Sequence, residues 1–121
     1  MISLIDDDDG AREATAGLLR SIGYTVYAFE SARAFLSSII VDETRCAIID
    51  LMMSDIDGFE LHRRLIQDGH RFPVIYLTAM TGEAATERMQ RSGAFCVLTK
   101  PCPERRLINC VEAALDESQS P

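Results

Sequence analysis

Five short apolar runs alternate with five stretches of helical periodicity along the chain, and this alternation narrows the accessible folds more than any other feature. It is the pattern of a parallel sheet flanked by helices, because parallel neighbours are joined by crossovers that usually contain a helix. Ile2 to Ile5 reads as a first strand that stops at an acidic run. The next stretch, about 11–22, places Ala11, Thr15, Leu18, Leu19 and Ile22 on one helical face, and Gly23 ends it. Tyr24 to Ala28 alternates as a second strand, and Ser31 is placed to cap a helix carrying Phe35, Leu36, Ile39 and Ile40. Arg45 to Ile49 is a third strand that delivers Asp50 at its carboxyl end. Asp57 and Glu60 then fit a capping box opening a helix that ends near Gly69. Pro73 to Leu77 delivers Thr78, a weakly amphipathic helix over 83–92 closes at Gly93, and Phe95 to Leu98 leads to Thr99 and Lys100. Pro103 fits the first position of a last helix whose apolar face is Leu107, Ile108, Val111, Ala114 and Leu115.

A chain of 121 residues is one domain's worth. No internal repeat or low-complexity segment interrupts it, so residues 1–117 are taken as the domain and 118–121 as a tail or the start of a linker. The net charge is −7, from 19 acids against 12 bases, and four of those acids are the consecutive run Asp6 to Asp9. Without that run the excess falls to −3, so much of the acidity is one local feature. An acidic balance counts against direct binding of nucleic acid or an anionic membrane, both of which call for a basic patch. No apolar run approaches the roughly 20 residues that cross a bilayer. Acids soon after Met1 do not fit a secretory signal, so the expected compartment is the cytoplasm. The four cysteines, Cys46, Cys96, Cys102 and Cys110, show no C-x-x-C pair and no zinc spacing with His62 or His70. They read as reduced and mostly buried.

In an open parallel sheet, ligands bind at the carboxyl ends of the strands, beside the point where strand order reverses. The polar residues just past those ends are Asp6, Asp7, Asp50, Thr78 and Lys100, from strands one, three, four and five. Taken singly each is an ordinary turn or capping residue; together they converge on one crevice. Carboxylates gathered closely repel, and a hard cation such as Mg²⁺ relieves this while leaving coordination positions for water and substrate phosphate. Asp50, alone at the end of a buried strand and facing the acid pair, is the candidate nucleophile for an aspartyl phosphate. A hydroxyl at Thr78 and the ammonium of Lys100, the only lysine among the 12 bases, would meet the charge on the transferred group.

The blocks Leu4-Ile5-Asp6-Asp7, Ile48-Ile49-Asp50-Leu51-Met52-Met53 with Asp57-Gly58, Val74-Ile75-Tyr76-Leu77-Thr78-Ala79, and Thr99-Lys100-Pro101 resemble the four signature blocks of response-regulator receiver domains of two-component signalling. The resemblance covers essentially the whole chain. It implies a flavodoxin-like (βα)5 three-layer sandwich with strand order 2-1-3-4-5. It also implies that Asp50 accepts a phosphoryl group from a sensor histidine kinase. Asp7, Asp50 and the Met52 carbonyl would bind Mg²⁺, Asp6 would hold a metal-bound water, Thr78 would bond a phosphoryl oxygen and Lys100 would pair with the acyl phosphate. Such a domain catalyses only its own phosphorylation and dephosphorylation. Output is expected through the fourth helix, fifth strand and fifth helix, with dimerisation through the same region. The pattern is also similar to receivers that precede helix-turn-helix DNA-binding domains, which implies transcriptional control through a domain outside this chain.

Three positions depart from the family pattern. Ser54 stands where proline is usual, which frees the backbone of the loop after Asp50. Val97 replaces the usual aromatic three positions before the lysine, and Phe95, two residues earlier, faces the same way but about 6–7 Å further back. Cys102 follows Lys100-Pro101 where phenylalanine is common. Met52 and Met80, each two residues after an active-site position, are apolar and cannot orient an attacking water, so slow autodephosphorylation is expected. Two rivals are a Mg²⁺-dependent phosphohydrolase with an aspartate nucleophile and a receiver-like module that has lost its chemistry. The first needs a carboxylate at position 52, where Met52 stands; the second is opposed by the complete set of acids, Thr78 and Lys100.

Overall fold

A computed structural model describes residues 1–119. In chain order the elements are β1 (Ile2–Ile5), α1 (Asp9–Ser21), β2 (Val26–Phe29), α2 (Ala32–Leu36), a 3₁₀ turn (Ile39–Glu43), β3 (Cys46–Ile49), α3 (Gly58–Gln67), β4 (Val74–Thr78), α4 (Glu83–Arg91), β5 (Cys96–Thr99) and α5 (Glu104–Gln119). All strand pairings are parallel, in the order β2-β1-β3-β4-β5, which is the expected flavodoxin-like topology. Strand order reverses between β1 and β3, which pair in register from Ile2–Cys46 to Ile5–Ile49.

Period-two alternation divides the core into two layers. Ile2, Leu4, Cys46, Ile48, Ile75 and Leu77 face Ala16 and Leu19 of α1 and Leu107, Val111 and Ala114 of α5. Ile5, Ala47, Ile49, Val74 and Tyr76 face the opposite layer, where Phe35 of α2, Phe59, Leu61 and Leu65 of α3 and Met89 of α4 pack. β1, β3 and β4 are buried on both faces, which explains their unbroken apolar runs. The two predicted caps form, Ser31 accepting from Ala34 N–H at 3.0 Å and Asp57 from Glu60 N–H at 2.9 Å, and Asp8 caps α1 by accepting from Ala11 N–H at 3.0 Å. The Glu60 carboxylate does not complete its box; it pairs with Arg63 and Arg64 instead, and these hold its pKa down to about 2.

Four expectations change. The helix predicted to carry Phe35 through Ile40 ends at Leu36, because Ser38 caps a new turn by accepting from Ile40 N–H at 3.1 Å; Ile39 is left 82% exposed. Ile22 lies past the last turn of α1 and is 46% exposed rather than facing the core. Pro103 precedes α5, and its carbonyl accepts from Arg106 and Leu107 N–H at 3.0 and 3.2 Å. The fourth concerns the cysteines: β5 and α5 bring Cys96 and Cys110 together with Cα atoms 6.6 Å apart, and the two are bridged, while Cys46 and Cys102 are free thiols. Burial pushes the Cys46 thiol up to about 12, which makes it an unreactive core residue. α5 runs on to Gln119, two residues past the boundary drawn at 117, and Ser120 and Pro121 of the expected tail lie outside the described residues. No helix among the described residues is long and apolar enough to cross a membrane.

Candidate phosphoacceptor site

The site lies where β1 and β3 end at the strand-order reversal. Asp6 follows β1, and its N–H donates to the Phe29 carbonyl of β2 at 3.1 Å; Asp50 follows β3, and its N–H donates to the Ile5 carbonyl at 3.0 Å. The ladder thus carries both acids one residue past the strands, side by side. Both are nearly inaccessible, Asp6 at 1% and Asp50 at 7%. Asp7 is half-buried at the rim.

Each acid has its own partners. Asp6 accepts from Asp8 N–H at 2.9 Å through Oδ1 and from Lys100 Nζ at 3.1 Å through Oδ2. Asp50 accepts from Met52 N–H at 3.0 Å through Oδ1 and from Lys100 Nζ at 3.2 Å through Oδ2. Asp7 accepts both of its bonds on Oδ2, from Ser54 N–H at 3.0 Å and Ser54 Oγ at 3.2 Å. Lys100 therefore bridges two of the acids, and Ser54 holds the third. Thr78 is fully buried, and its Oγ1 accepts from Met80 N–H at 3.0 Å, which leaves its own proton free to donate.

Burial is the largest influence on Asp50 and raises its carboxyl above the ordinary range, with the charge on Asp6 acting in the same direction; Met52 N–H and Lys100 only partly offset them. For Lys100 burial acts downward, but its contacts with Asp6 and Asp50 outweigh that and hold its pKa above the usual lysine value. Asp6, Asp7 and Asp50 each offer an oxygen, and these oxygens lie within 4.8 Å of one another. An all-carboxylate donor set of this size, partly open to solvent through Asp7, suits a hard, oxygen-preferring divalent ion such as Mg²⁺.

The predicted site residues Asp6, Asp7, Asp50 and Lys100 come together directly, and Thr78 joins through the Lys100 backbone. Met52 stands at the mouth, 59% exposed, and beside it a shallow cleft opens between Asp7, Ser54, Phe59, Met80 and Arg88. Three supporting contacts escaped sequence reasoning. Ser54 was visible only as a departure from a motif, not as a partner of Asp7. Arg12 of α1 donates through Nη1 to the Asp6 carbonyl at 2.8 Å, a contact for which the sequence gives no signal. At Gly58 an added Cβ would fall 2.7 Å from Leu51 Cα and 2.9 Å from the Asp50 carbonyl oxygen, so α3 starts directly against the backbone of Asp50 and Leu51. Val97 and Phe95 are each 37% exposed, and Val97 lines a cavity with Met80, Thr86, Met89 and Thr99.

The profile described as the response regulator receiver domain matches residues 2–112. The chain is 32% identical over 115 residues to the response regulator protein TodT of Pseudomonas putida, covering 95% of this chain and 51% of that protein. It is 34% identical over 117 residues to the transcriptional regulatory protein FixJ of Azorhizobium caulinodans, covering 97% and 56%. The solved structure of the response regulator StyR matches with a TM-score of 0.88 at 31% identity, over 97% of this chain and 59% of that one. The chain thus spans about half the length of the curated relatives it matches, 51% in the case of TodT.

Proposed function

The chain belongs to the response regulator receiver domain family, a family of signalling domains rather than classical enzymes, and from that membership we propose that it is a phosphoacceptor switch charged at Asp50 by a sensor histidine kinase. The observation that carries the reading is Lys100, whose ammonium lies 3.1 Å from Asp6 and 3.2 Å from Asp50 while Asp7 closes the acid cluster beside them.

In the transfer, an Asp50 carboxylate oxygen attacks the phosphorus of the kinase's phosphohistidine. The new O–P bond forms as the P–N bond breaks, and its electron pair returns to the imidazole nitrogen. Lys100, already within reach of Asp50, shifts its charge to the phosphoryl oxygens, and Thr78 offers its free hydroxyl proton to another. Asp7, Asp50 and the Met52 carbonyl would hold Mg²⁺, with Asp6 on a metal-bound water. Bound there, the ion would supply positive charge against the crowded carboxylates and the incoming phosphoryl group. Met52 offers no acid or base at the position where a phosphohydrolase of this type needs one, which favours a stable phosphoprotein over turnover.

Thr78 and Lys100 end β4 and begin the turn after β5, so a phosphoryl group that recruits both would bias the packing of α4, β5 and α5. That face is the proposed output surface and the proposed dimer contact. With Val97 and its neighbouring cavity in place of the usual aromatic, the shift would run through a smaller aliphatic side chain. The relatives' names, response regulator and transcriptional regulatory protein, support a role in transcriptional control, proposed to run through a further domain; the proposed cytoplasmic location and lack of nucleic-acid binding by this domain rest on its sequence and its net charge of −7.

The test is incubation with acetyl phosphate and Mg²⁺ followed by intact-mass measurement. The parent is expected to gain about 80 Da, one PO₃H, and Asp50→Asn to gain nothing. An unmodified parent, or an adduct that persists in the variant, overturns the reading.

A further inference from the structure

We propose that Ser54 is a positioning residue that holds Asp7 ready for a divalent cation; the inference rests on the Mg²⁺-dependent reading above. Among the described residues, Asp6 and Asp50 share the Lys100 ammonium, but the hydrogen bonds to the Asp7 carboxylate come from Ser54 alone, at 3.0 Å from its N–H and 3.2 Å from its Oγ. Both land on Oδ2 and none on Oδ1. A carboxylate that ligates a metal through one oxygen commonly accepts an outer hydrogen bond on the other, which fixes its direction. With this latch closed, Asp7 already has an oxygen within 4.8 Å of oxygens on Asp6 and Asp50, so the contact is compatible with the cluster rather than an alternative to it.

Ser54 also belongs to the loop that carries Met52, so its two bonds tie the β3–α3 connection to the end of β1 across 47 residues of sequence. A proline at this position, as the family pattern would have it, has neither a backbone N–H nor a hydroxyl and could make neither bond. This chain therefore holds by hydrogen bonding a carboxylate that a proline would leave free to rotate. Ser54 itself is exposed, so its replacement removes a contact without opening the core.

Calorimetric titration with MgCl₂ at pH 7 on the parent, Ser54→Ala, Ser54→Pro and Ser54→Thr tests this. Losing an outer-shell partner of a metal ligand typically weakens binding about 10–100-fold. The low end is expected at this exposed site: Ser54→Pro binds about tenfold more weakly, Ser54→Ala, which keeps the N–H, about threefold, and Ser54→Thr like the parent. A purely structural role would shift the metal-free thermal midpoint and would not be rescued by threonine. The inference falls if Ser54→Ala and Ser54→Pro bind Mg²⁺ as tightly as the parent or more tightly while Asp50→Asn loses binding, a result that leaves the phosphoacceptor reading intact. Absence of saturable Mg²⁺ binding by the parent overturns both.

Discussion

The backbone N–H of Lys100 donates to the carbonyl oxygen of Thr78 at 2.8 Å, so the two residues proposed to meet the phosphoryl group are joined through the end of the β4–β5 ladder. From there the Lys100 side chain reaches across to Asp6 and Asp50, and one lysine connects three strand ends. The Thr78 hydroxyl, the Lys100 ammonium and the Asp50 carboxylate are in this way fixed relative to one another by the sheet.

Removing that ammonium leaves two buried carboxylates without their cation. Breaking a fully buried pair costs about 3–5 kcal/mol, whereas exposed pairs contribute about 1 kcal/mol or less. Lys100 keeps a quarter of its side chain in solvent. Lys100→Met is therefore expected to lose about 1–3 kcal/mol, between those limits, as read by urea unfolding in EDTA at pH 7. Adding Asp50→Asn to Lys100→Met should recover part of the loss, because one of the stranded charges is gone. An unchanged urea midpoint in the single variant would show that solvent already screens the cluster.

A second polar line crosses the opposite layer. His62 of α3 meets the Tyr76 hydroxyl at 2.5 Å, Tyr76 donates to Ser92 Oγ at 2.7 Å, and Ser92 donates to the Met89 carbonyl at 2.6 Å. Tyr76→Phe leaves His62 and Ser92 short of a partner, and such a deletion is expected to cost about 1–3 kcal/mol. Burial lowers the His62 pKa below its ordinary value of 6.5. The folded protein thus favours neutral imidazole, and the stability this contributes is complete above pH 6.5 and declines as the pH falls through 6.5 toward the lowered value. His62→Gln does not titrate, so between pH 7.5 and 5.5 the parent should lose more stability than the variant. Parallel pH profiles would refute the assignment.

The four strand ends were legible because each buried strand is an apolar run that stops at polar residues, a signal that needs no tertiary knowledge, whereas the strand order came only from the family resemblance. The contact of Ser54 with Asp7 was not legible, because it joins residues 47 positions apart and follows no spacing that a motif would signal. Ile39 and Ile40 misled the helix reading, since their spacing matched the apolar face while Ser38 was competing to start a new turn. The Cys96–Cys110 pair was missed for a related reason. A spacing of 14 residues fits no metal or redox motif, and only the packing of α5 on β5 brings the two together.

Met52 and Met80 flank the proposed acyl phosphate with side chains that cannot hydrogen-bond an incoming water, so hydrolysis should be slow. Met52 is 59% exposed, which leaves room for a polar replacement without repacking. Met52→Asn is expected to shorten the phosphoprotein lifetime by about tenfold, a modest share of what positioning a reactant can supply. Decay is followed by intact mass after the phosphodonor is removed. A lifetime unchanged by polar side chains at both 52 and 80 would mean that water is already well placed, or that its position does not limit the rate.

Gly58 tests how tightly the backbone of Asp50 is held. Alanine there has two opposed effects. In a helix it is favoured over glycine by up to about 1 kcal/mol, but its Cβ would lie 2.7 Å from Leu51 Cα and 2.9 Å from the Asp50 carbonyl oxygen. These are backbone atoms, fixed in turn because Gly58 N–H donates to the Leu51 carbonyl at 3.0 Å and β3 is buried on both faces. Forcing extra volume into packed structure costs about 1–3 kcal/mol and can exceed that where backbone must move. The steric penalty should win, and Gly58→Ala is expected to be about 1–2 kcal/mol less stable than the parent by urea unfolding. Because the displaced atoms are those of residues 50 and 51, Mg²⁺ affinity and the yield of phosphorylated protein should fall with it. A variant as stable as the parent, with unaltered metal affinity, would show that the start of α3 yields and that Asp50 is positioned by the sheet alone.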